Sequence, residues 1–344
     1  VGPLLHAYAE WLTEQVKKLP VEQPRREVGE GLLANVKRVH ARIAAGLAAL
    51  DDPKVCEAFR IANRAVATAM RQRLSHDRPD APPSSHAPPK WRPFQLAFLL
   101  MNLVGTAEPT HADRKIVDLL FFPTGGGKTE AYLGLAAFAM VLRRLRDPSV
   151  QSAGLSVLMR YTLRLLTLDQ LGRAATMVCA LELLRQQDIQ KLGPWPFEIG
   201  LWVGQTGTPN HMGRKGDNNA YSARARTIAF CNDSGRKPSP IPLETCPWCG
   251  WKFDKDSFKL LPNGDEPTDL RVMCKHRECA FHVRRQPRGI PILSVDAPIY
   301  RRLPAFIVAT VDKFANLPWV GETAGLFGRV DRHDAEGFYG PMKP

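Results

Sequence analysis

Phe121-Phe122-Pro123-Thr124-Gly125-Gly126-Gly127-Lys128-Thr129 is the stretch whose reading decides the fold. It follows an apolar run, Ile116 to Phe122 (IVDLLFF), and precedes helical spacing from Glu130 to Arg146. The first is predicted as a buried strand and the second as a helix. A glycine-rich turn between strand and helix, ending in Lys-Thr, is the setting of a phosphate-binding loop. Glycines let successive backbone N–H groups curl around phosphate oxygens. The helix N-terminus adds the positive end of a dipole. In such a loop Thr124, Gly125, Gly126 and Gly127 form the cradle for ATP. Lys128 reaches the β- and γ-phosphates, and the Thr129 hydroxyl ligates Mg2+.

Working outward, Leu155 to Met159, Phe197 to Val203 and Ala305 to Thr310 are further apolar runs of strand length. A helical stretch, about Leu163 to Gln187, separates the first two. Strands alternating with helices predict an α/β fold with a parallel sheet. Residues 1–75 read as an N-terminal helical domain. Leu32, Leu33, Val36, Val39, Ile43, Leu47 and Leu50 recur at three- and four-residue steps, and Val55 to Leu74 follows in the same style after Asp51-Asp52-Pro53. Residues 76–92 are rich in Pro, Ser, His and Asp and read as a linker. The expected organisation is then a nucleotide-binding domain over 93–204, an insertion over 205–295, and a continuation over 296–344.

The insertion carries its own signal. Cys246-Pro247-Trp248-Cys249-Gly250 is a knuckle, and Cys274 and Cys279 form a second short-spaced pair. Two such pairs are what a closed structural Zn2+ site requires, with His276 or His282 able to replace one sulfur. Binding the metal would order a small segment that lacks a core of its own. Cys56, Cys179 and Cys231 have no paired spacing. Seven cysteines, four of them in metal-type spacing, argue against a secreted disulfide framework and for a reducing cytoplasm. The near-apolar run Ala131 to Leu142 is too short to span a bilayer, which takes about 20 residues. Lys and Arg total 47 against 34 Asp and Glu, so the +13 charge favours a polyanionic partner.

The glycine loop fits T-G-x-G-K-T at every position, while G-x-x-x-x-G-K-[ST] fails at Phe122. The fitting variant is similar to motif I of superfamily 2 helicases. Trp91-Arg92-Pro93-Phe94-Gln95 resembles the Q motif of that superfamily. There Gln95, with both donor and acceptor, would read the adenine edge while Phe94 packs on the ring. The plain alternative for Gln95 is a polar residue at a helix start. Met159 to Gln170 occupies the place of motif Ia, where Arg160, Thr162, Arg164 and Gln170 would face a phosphate backbone. Val203-Gly204-Gln205-Thr206-Gly207-Thr208 matches motif Ib through Thr206 and Gly207. Ala309 to Phe314 lies where motif Ic does, with Thr310 and Lys313. Arg214, Lys215, Arg224 and Arg226 surround Tyr221, either as a single-strand contact or as a solvated basic loop.

The set resembles the first RecA-like domain of a superfamily 2 helicase. FFPTGGGKTEAYLG (121–134), MRYTLRLLTLDQLGRA (159–174), CPWCG (246–250) and IVATVDKFANLPW (307–319) resemble the helicase subunit of the DISARM bacterial antiphage defence system. That resemblance runs from Trp91 onward. It implies an ATP-dependent helicase or translocase that engages DNA and acts with a second DISARM subunit. One departure stands out. Motif II, an acidic pair at the end of a buried strand, has no match: Asp265-Glu266 follows no apolar run, and Asp334 to Glu336 is polar. The expectation is therefore the N-terminal part of a longer enzyme, inactive in ATP hydrolysis by itself. Two rival classes are a non-enzymatic DNA- or partner-binding module with a vestigial nucleotide site, and a P-loop kinase or small-molecule NTPase.

Overall fold

The computed structural model describes residues 2–78, 80–123, 125–161, 168–204 and 207–340. Their helices are α1 (Gly2–Lys17), α2 (Gln23–Ala48), α3 (Pro53–Asp77), α4 (Pro93–Ala107), α5 (Lys128–Arg146), α6 (Leu168–Gln187), α7 (Ile189–Leu192), α8 (Ala223–Asn232), α9 (Asp296–Arg302) and α10 (Val311–Ala315). The strands are β1 (Val157–Tyr161), β2 (Ile199–Trp202), β3 (Phe258–Leu261), β4 (Asp269–Val272), β5 (Ile292–Leu293), β6 (Phe306–Thr310), β7 (Arg332–His333) and β8 (Phe338–Tyr339). No helix among these residues is long and apolar enough to cross a membrane. Two compact units result, one of residues 1–63 and 90–142, the other of 64–89 and 143–344. By contact, residues 90–142 thus group with the N-terminal helices.

The first unit is helical, and one close approach sets its packing. Gly46 of α2 lies against α4 so tightly that an added Cβ would sit 1.8 Å from the Leu100 carbonyl oxygen. Ile43, Leu99, Leu100 and Leu103 are buried. The stripe read from the sequence is buried at Ile43 and half-buried at Leu33, Val36, Val39, Leu47 and Leu50, while Leu32 at its start is 61% exposed. Pro93 at the first turn of α4 suits a position whose N–H has no helical partner.

The buried strand expected over Ile116–Phe122 does not form. The segment has no strand partner among the described residues, and Val117 and Phe121 are more than nine-tenths exposed. Its charged residue explains where it goes instead. Asp118 takes a two-pronged ion pair from Arg42 of α2, at 2.6 and 2.8 Å, and Arg42 Nε also donates to Asp113 at 2.8 Å. The pairs hold the segment on a helix, and a charge so engaged cannot enter a sheet interior.

The second unit contains the parallel sheet, in the order β1-β6-β2-β5. Val157 pairs with Phe306 and Tyr161 with Thr310, while Ile199 pairs with both Phe306 and Ile292. Every residue of β6 is buried, as expected of a parallel strand covered on both faces. The sequence runs at 155–159, 197–203 and 305–310 therefore mark β1, β2 and β6 to within two residues. Trp202, Leu293, Ile299, Leu303, Ile307, Ala309 and Leu326 form one apolar cluster against the sheet. Glu182 of α6 accepts from Arg185 at 2.7 and 2.8 Å and from the Phe197 N–H at 2.9 Å, which fixes the approach to β2. Burial pushes the Glu198 carboxyl up although Arg302 bonds both of its oxygens.

Replacing Arg42 with alanine leaves two partly buried aspartates unpaired. We expect a loss of about 3 kcal/mol, the low end for breaking a buried pair, in denaturant unfolding. Chymotrypsin should then cut after Phe121 faster than in the wild type; unchanged stability and cleavage would contradict the anchoring role.

Candidate functional site

The glycine loop is built by two chain reversals and a clamp. Gly125 has φ +79° and Gly127 φ +90°, a region that side chains with a Cβ rarely enter. The Gly126 N–H donates to the Pro123 carbonyl at 3.1 Å, closing a turn, and α5 starts at Lys128. The loop carbonyls are taken by side chains from the start of α4. Gln95 Nε2 donates to the Gly127 carbonyl at 2.7 Å, and Arg92 donates to the Gly126 carbonyl at 2.8 Å. Gln95 Oε1 also accepts from the Arg92 N–H at 2.8 Å, so one buried amide joins the α4 cap to the loop.

With those carbonyls tied back and the Gly126 N–H spent on the turn, the Gly125 and Gly127 N–H groups and the N-terminus of the 19-residue α5 are the polar features left for an anion. Lys128 turns inward in the free protein, where its ammonium donates to the Phe122 carbonyl and, at 3.1 Å, to that of Pro123. Phe94 stacks on Phe122 with centroids 3.9 Å apart and planes 13° from parallel. Gln95, Gly125, Gly126, Gly127, Lys128 and Thr129 thus sit at one place, and Phe94 beside them. Thr124 lies outside the described residues. Arg92 was not singled out from sequence. Its signal is its position one residue before Pro93, where an N-cap belongs, with the Gln95 side chain three residues on to accept from its N–H.

The residues expected to face nucleic acid are less uniform. Arg160 at the end of β1 is exposed, its guanidinium 5.3 Å from the Phe314 ring centroid. Gln170 lies in the first turn of α6, and the Gly207 N–H closes a turn on the Gly204 carbonyl at 2.8 Å. Thr310 caps α10, and its buried hydroxyl has no hydrogen-bond partner among the described residues. Thr162, Arg164 and Thr206 lie outside the described residues. Lys313 departs most from expectation. Its ammonium is paired with Asp296, donates to Asn210 at 3.0 Å, and is only 12% exposed. Burial raises the Asp296 carboxyl even so. The basic loop around Tyr221 is also engaged: Lys215 pairs with Asp265 at 3.2 Å, Arg224 donates to the Gly264 carbonyl, and Arg226 lies over the Tyr221 ring.

The four cysteines come together as their spacing requires. The sulfurs of Cys246, Cys249, Cys274 and Cys279 all lie within 4.8 Å of one another. Cys246 and Cys279 are 4.0 Å apart and Cys249 and Cys274 3.6 Å, against the ~3.8 Å edge of a tetrahedron with Zn–S bonds of ~2.3 Å. Burial pushes the Cys246 thiol up, while hydrogen bonds from the Cys246, Cys249 and Cys279 thiols pull Cys274 down. Four crowded sulfurs cannot all ionise without a cation among them, so the donor set fits a zinc ion. Neither histidine replaces a sulfur: the His276 ring stacks on Trp251, and His282 Nδ1 accepts from the Arg284 N–H at 3.3 Å. Two side chains not foreseen hold the first knuckle. His76 of α3 bonds the Trp248 carbonyl at 2.7 Å, and the Thr176 hydroxyl of α6 donates to that of Pro247 at 2.8 Å.

The protein should carry one zinc ion per chain by elemental analysis and lose it on Cys246→Ser substitution. Because site assembly is coupled to folding, chelation should lower the melting temperature and loosen the edge-to-face pair Trp248–Phe281 in near-ultraviolet circular dichroism. A metal-free chain with the same melting temperature would contradict this.

No family model matches the chain. It is 37% identical over 345 residues to the DISARM protein DrmA of Bacillus paralicheniformis, an alignment covering 96% of this chain and 29% of that protein. Along nearly all of its length, the chain is therefore related to DISARM protein DrmA, of which it spans less than a third.

Proposed function

We propose that the chain is the ATP-binding part of a superfamily 2 helicase or translocase of the DISARM antiphage defence system. On this reading it works in the cytoplasm on DNA, together with another DISARM subunit. The observation that carries it is the loop geometry: Gly125 and Gly127 at positive φ, clamped from α4 and opening directly into α5. The likeness to DrmA supports the placement in that system. The β-strands and the loop are read as a RecA-like P-loop domain, with residues 1–75 as a helical preface and 205–295 as a zinc-bearing insertion.

The chain's own residues then divide the work. The N–H groups of Gly125, Gly127 and Lys128 face the phosphates, while that of Gly126 holds the turn to Pro123. Lys128 exchanges two neutral carbonyls for phosphate oxygens, a gain because hydrogen bonds between charged partners are the stronger ones. Thr129 supplies the hydroxyl for Mg2+. Gln95 has used one N–H and one lone pair on the loop and α4; the second of each is left for an adenine edge. Phe94 is the ring beside it. Arg160, Gln170, Gly207 and Thr310, with Thr162, Arg164 and Thr206, are assigned to the DNA backbone. Lys313, held by Asp296, contributes there only if that pair opens.

Removing the Lys128 ammonium takes away a charged hydrogen bond worth about 1.5–3 kcal/mol. Lys128→Ala should thus weaken ATP binding roughly tenfold to a hundredfold by calorimetry. In the complete protein, ATP turnover should rise on adding DNA and disappear in the same variant. Turnover indifferent to both DNA and Lys128 would refute the reading.

A further inference from the structure

The two zinc-type knuckles place a pair of rings at their rim by a shared spacing. Trp251 follows Cys249 by two residues, and His276 follows Cys274 by two. Gly250, at φ +74°, turns the first knuckle so that the Trp251 carbonyl accepts from the Cys246 N–H at 2.8 Å. That bond fixes the backbone and sends the indole outward. Its ring stacks on the His276 imidazole, with centroids 5.0 Å apart and planes 13° from parallel. Trp251 remains 47% exposed, so the pair is a ledge rather than part of a core.

The charge around the ledge is mostly positive, with Glu278 the one acid of the second knuckle. Lys252 adjoins Trp251, Lys275 and Arg277 flank His276, and Arg284 lies on the return of the second knuckle. None of these four cations forms an ion pair among the described residues. Other basic residues of the same segment are neutralised or tied to backbone. Arg271 pairs with Asp269 and Glu336, and Arg285 donates to the carbonyls of Arg277 and Cys279. Cations left unpaired beside an exposed flat ring fit a ligand that offers phosphates and aromatic faces together. An apolar protein partner would leave them unsatisfied on burial.

We infer that the Trp251–His276 ledge is a stacking platform for an unpaired base of single-stranded nucleic acid, with Lys252, Lys275 and Arg277 on the adjoining phosphates. The base extends the stack on the open face of Trp251. A base inside a duplex keeps its faces covered by its neighbours, so the platform selects single strands or strand ends. The inference rests on the reading of the chain as DNA-binding, and it moves one contact from the sheet to the metal lobe.

The test is fluorescence anisotropy of the full chain with labelled oligothymidylate and with a blunt duplex, over a salt series. Zinc content is measured for every variant. Trp251→Ala should weaken single-strand binding about tenfold and leave the duplex unchanged, while Trp251→Phe restores most of the loss. Lys252→Ala with Arg277→Ala, both exposed and away from the core, should lower the salt slope for single strands by about 1.4, the share of two phosphate contacts. With zinc retained, an unchanged affinity in Trp251→Ala or an unchanged slope in the double variant overturns the platform alone. A wild-type chain that binds neither probe overturns the DNA-binding reading with it.

Discussion

Everything at the glycine loop of this protein depends on one buried amide. Gln95 donates a hydrogen bond to the Gly127 carbonyl and accepts one from the Arg92 N–H, so the α4 cap and the glycine loop are set by the same side chain. The fit is tight enough to dictate residue 127. A Cβ there would meet Gln95 Nε2 at 2.7 Å, and φ is already in the region that favours glycine. Arg92 repeats the device one residue earlier. Carbonyls held in this way leave the Gly125 and Gly127 N–H groups as the free side of the loop, which is what an anion site requires, while the Gly126 N–H closes the turn on Pro123.

The second unit is organised around sulfur rather than around an amide. The cysteine cluster draws two distant knuckles together, and α3 and α6 hold the first of them through His76 and Thr176. The lobe is therefore tied to the helices beside the sheet and is not an independent bead. Its outer rim carries the Trp251–His276 ledge and unpaired cations. The chain's +13 charge thus has identifiable surplus on this lobe, whereas Lys313 and Lys215, basic in the sequence, are locally balanced by Asp296 and Asp265.

Sequence legibility followed the range of the interaction involved. β2 and β6 are readable because each is an apolar run that is buried throughout, and β1 because its run is apolar up to Arg160 although it lies half-buried at the sheet edge. The cysteine set is readable because two short spacings and four identical ligands leave little freedom. The Ile116–Phe122 run misleads because apolar composition implies burial only where a partner strand exists. Asp118 within the run answers to Arg42, some seventy residues earlier, and no local pattern encodes that. β5 is two residues long, too short for any period. Lys313 looks like a phosphate contact from its neighbours, yet its charge is claimed by Asp296 across a helix. Arg92 is marked locally only by its place before Pro93, because a guanidinium cannot accept in a reciprocal cap.

The central claim is that the loop from Gly125 to Lys128 grips phosphates, and the number of phosphates is the variable that isolates it. Calorimetric titration with AMP, ADP and ATP in Mg2+ measures it directly. The account predicts weak binding of AMP and a steep gain on adding the β- and γ-phosphates, which meet the loop N–H groups and Lys128. Equal affinity for all three nucleotides would contradict it, because binding would then reside in the base and sugar.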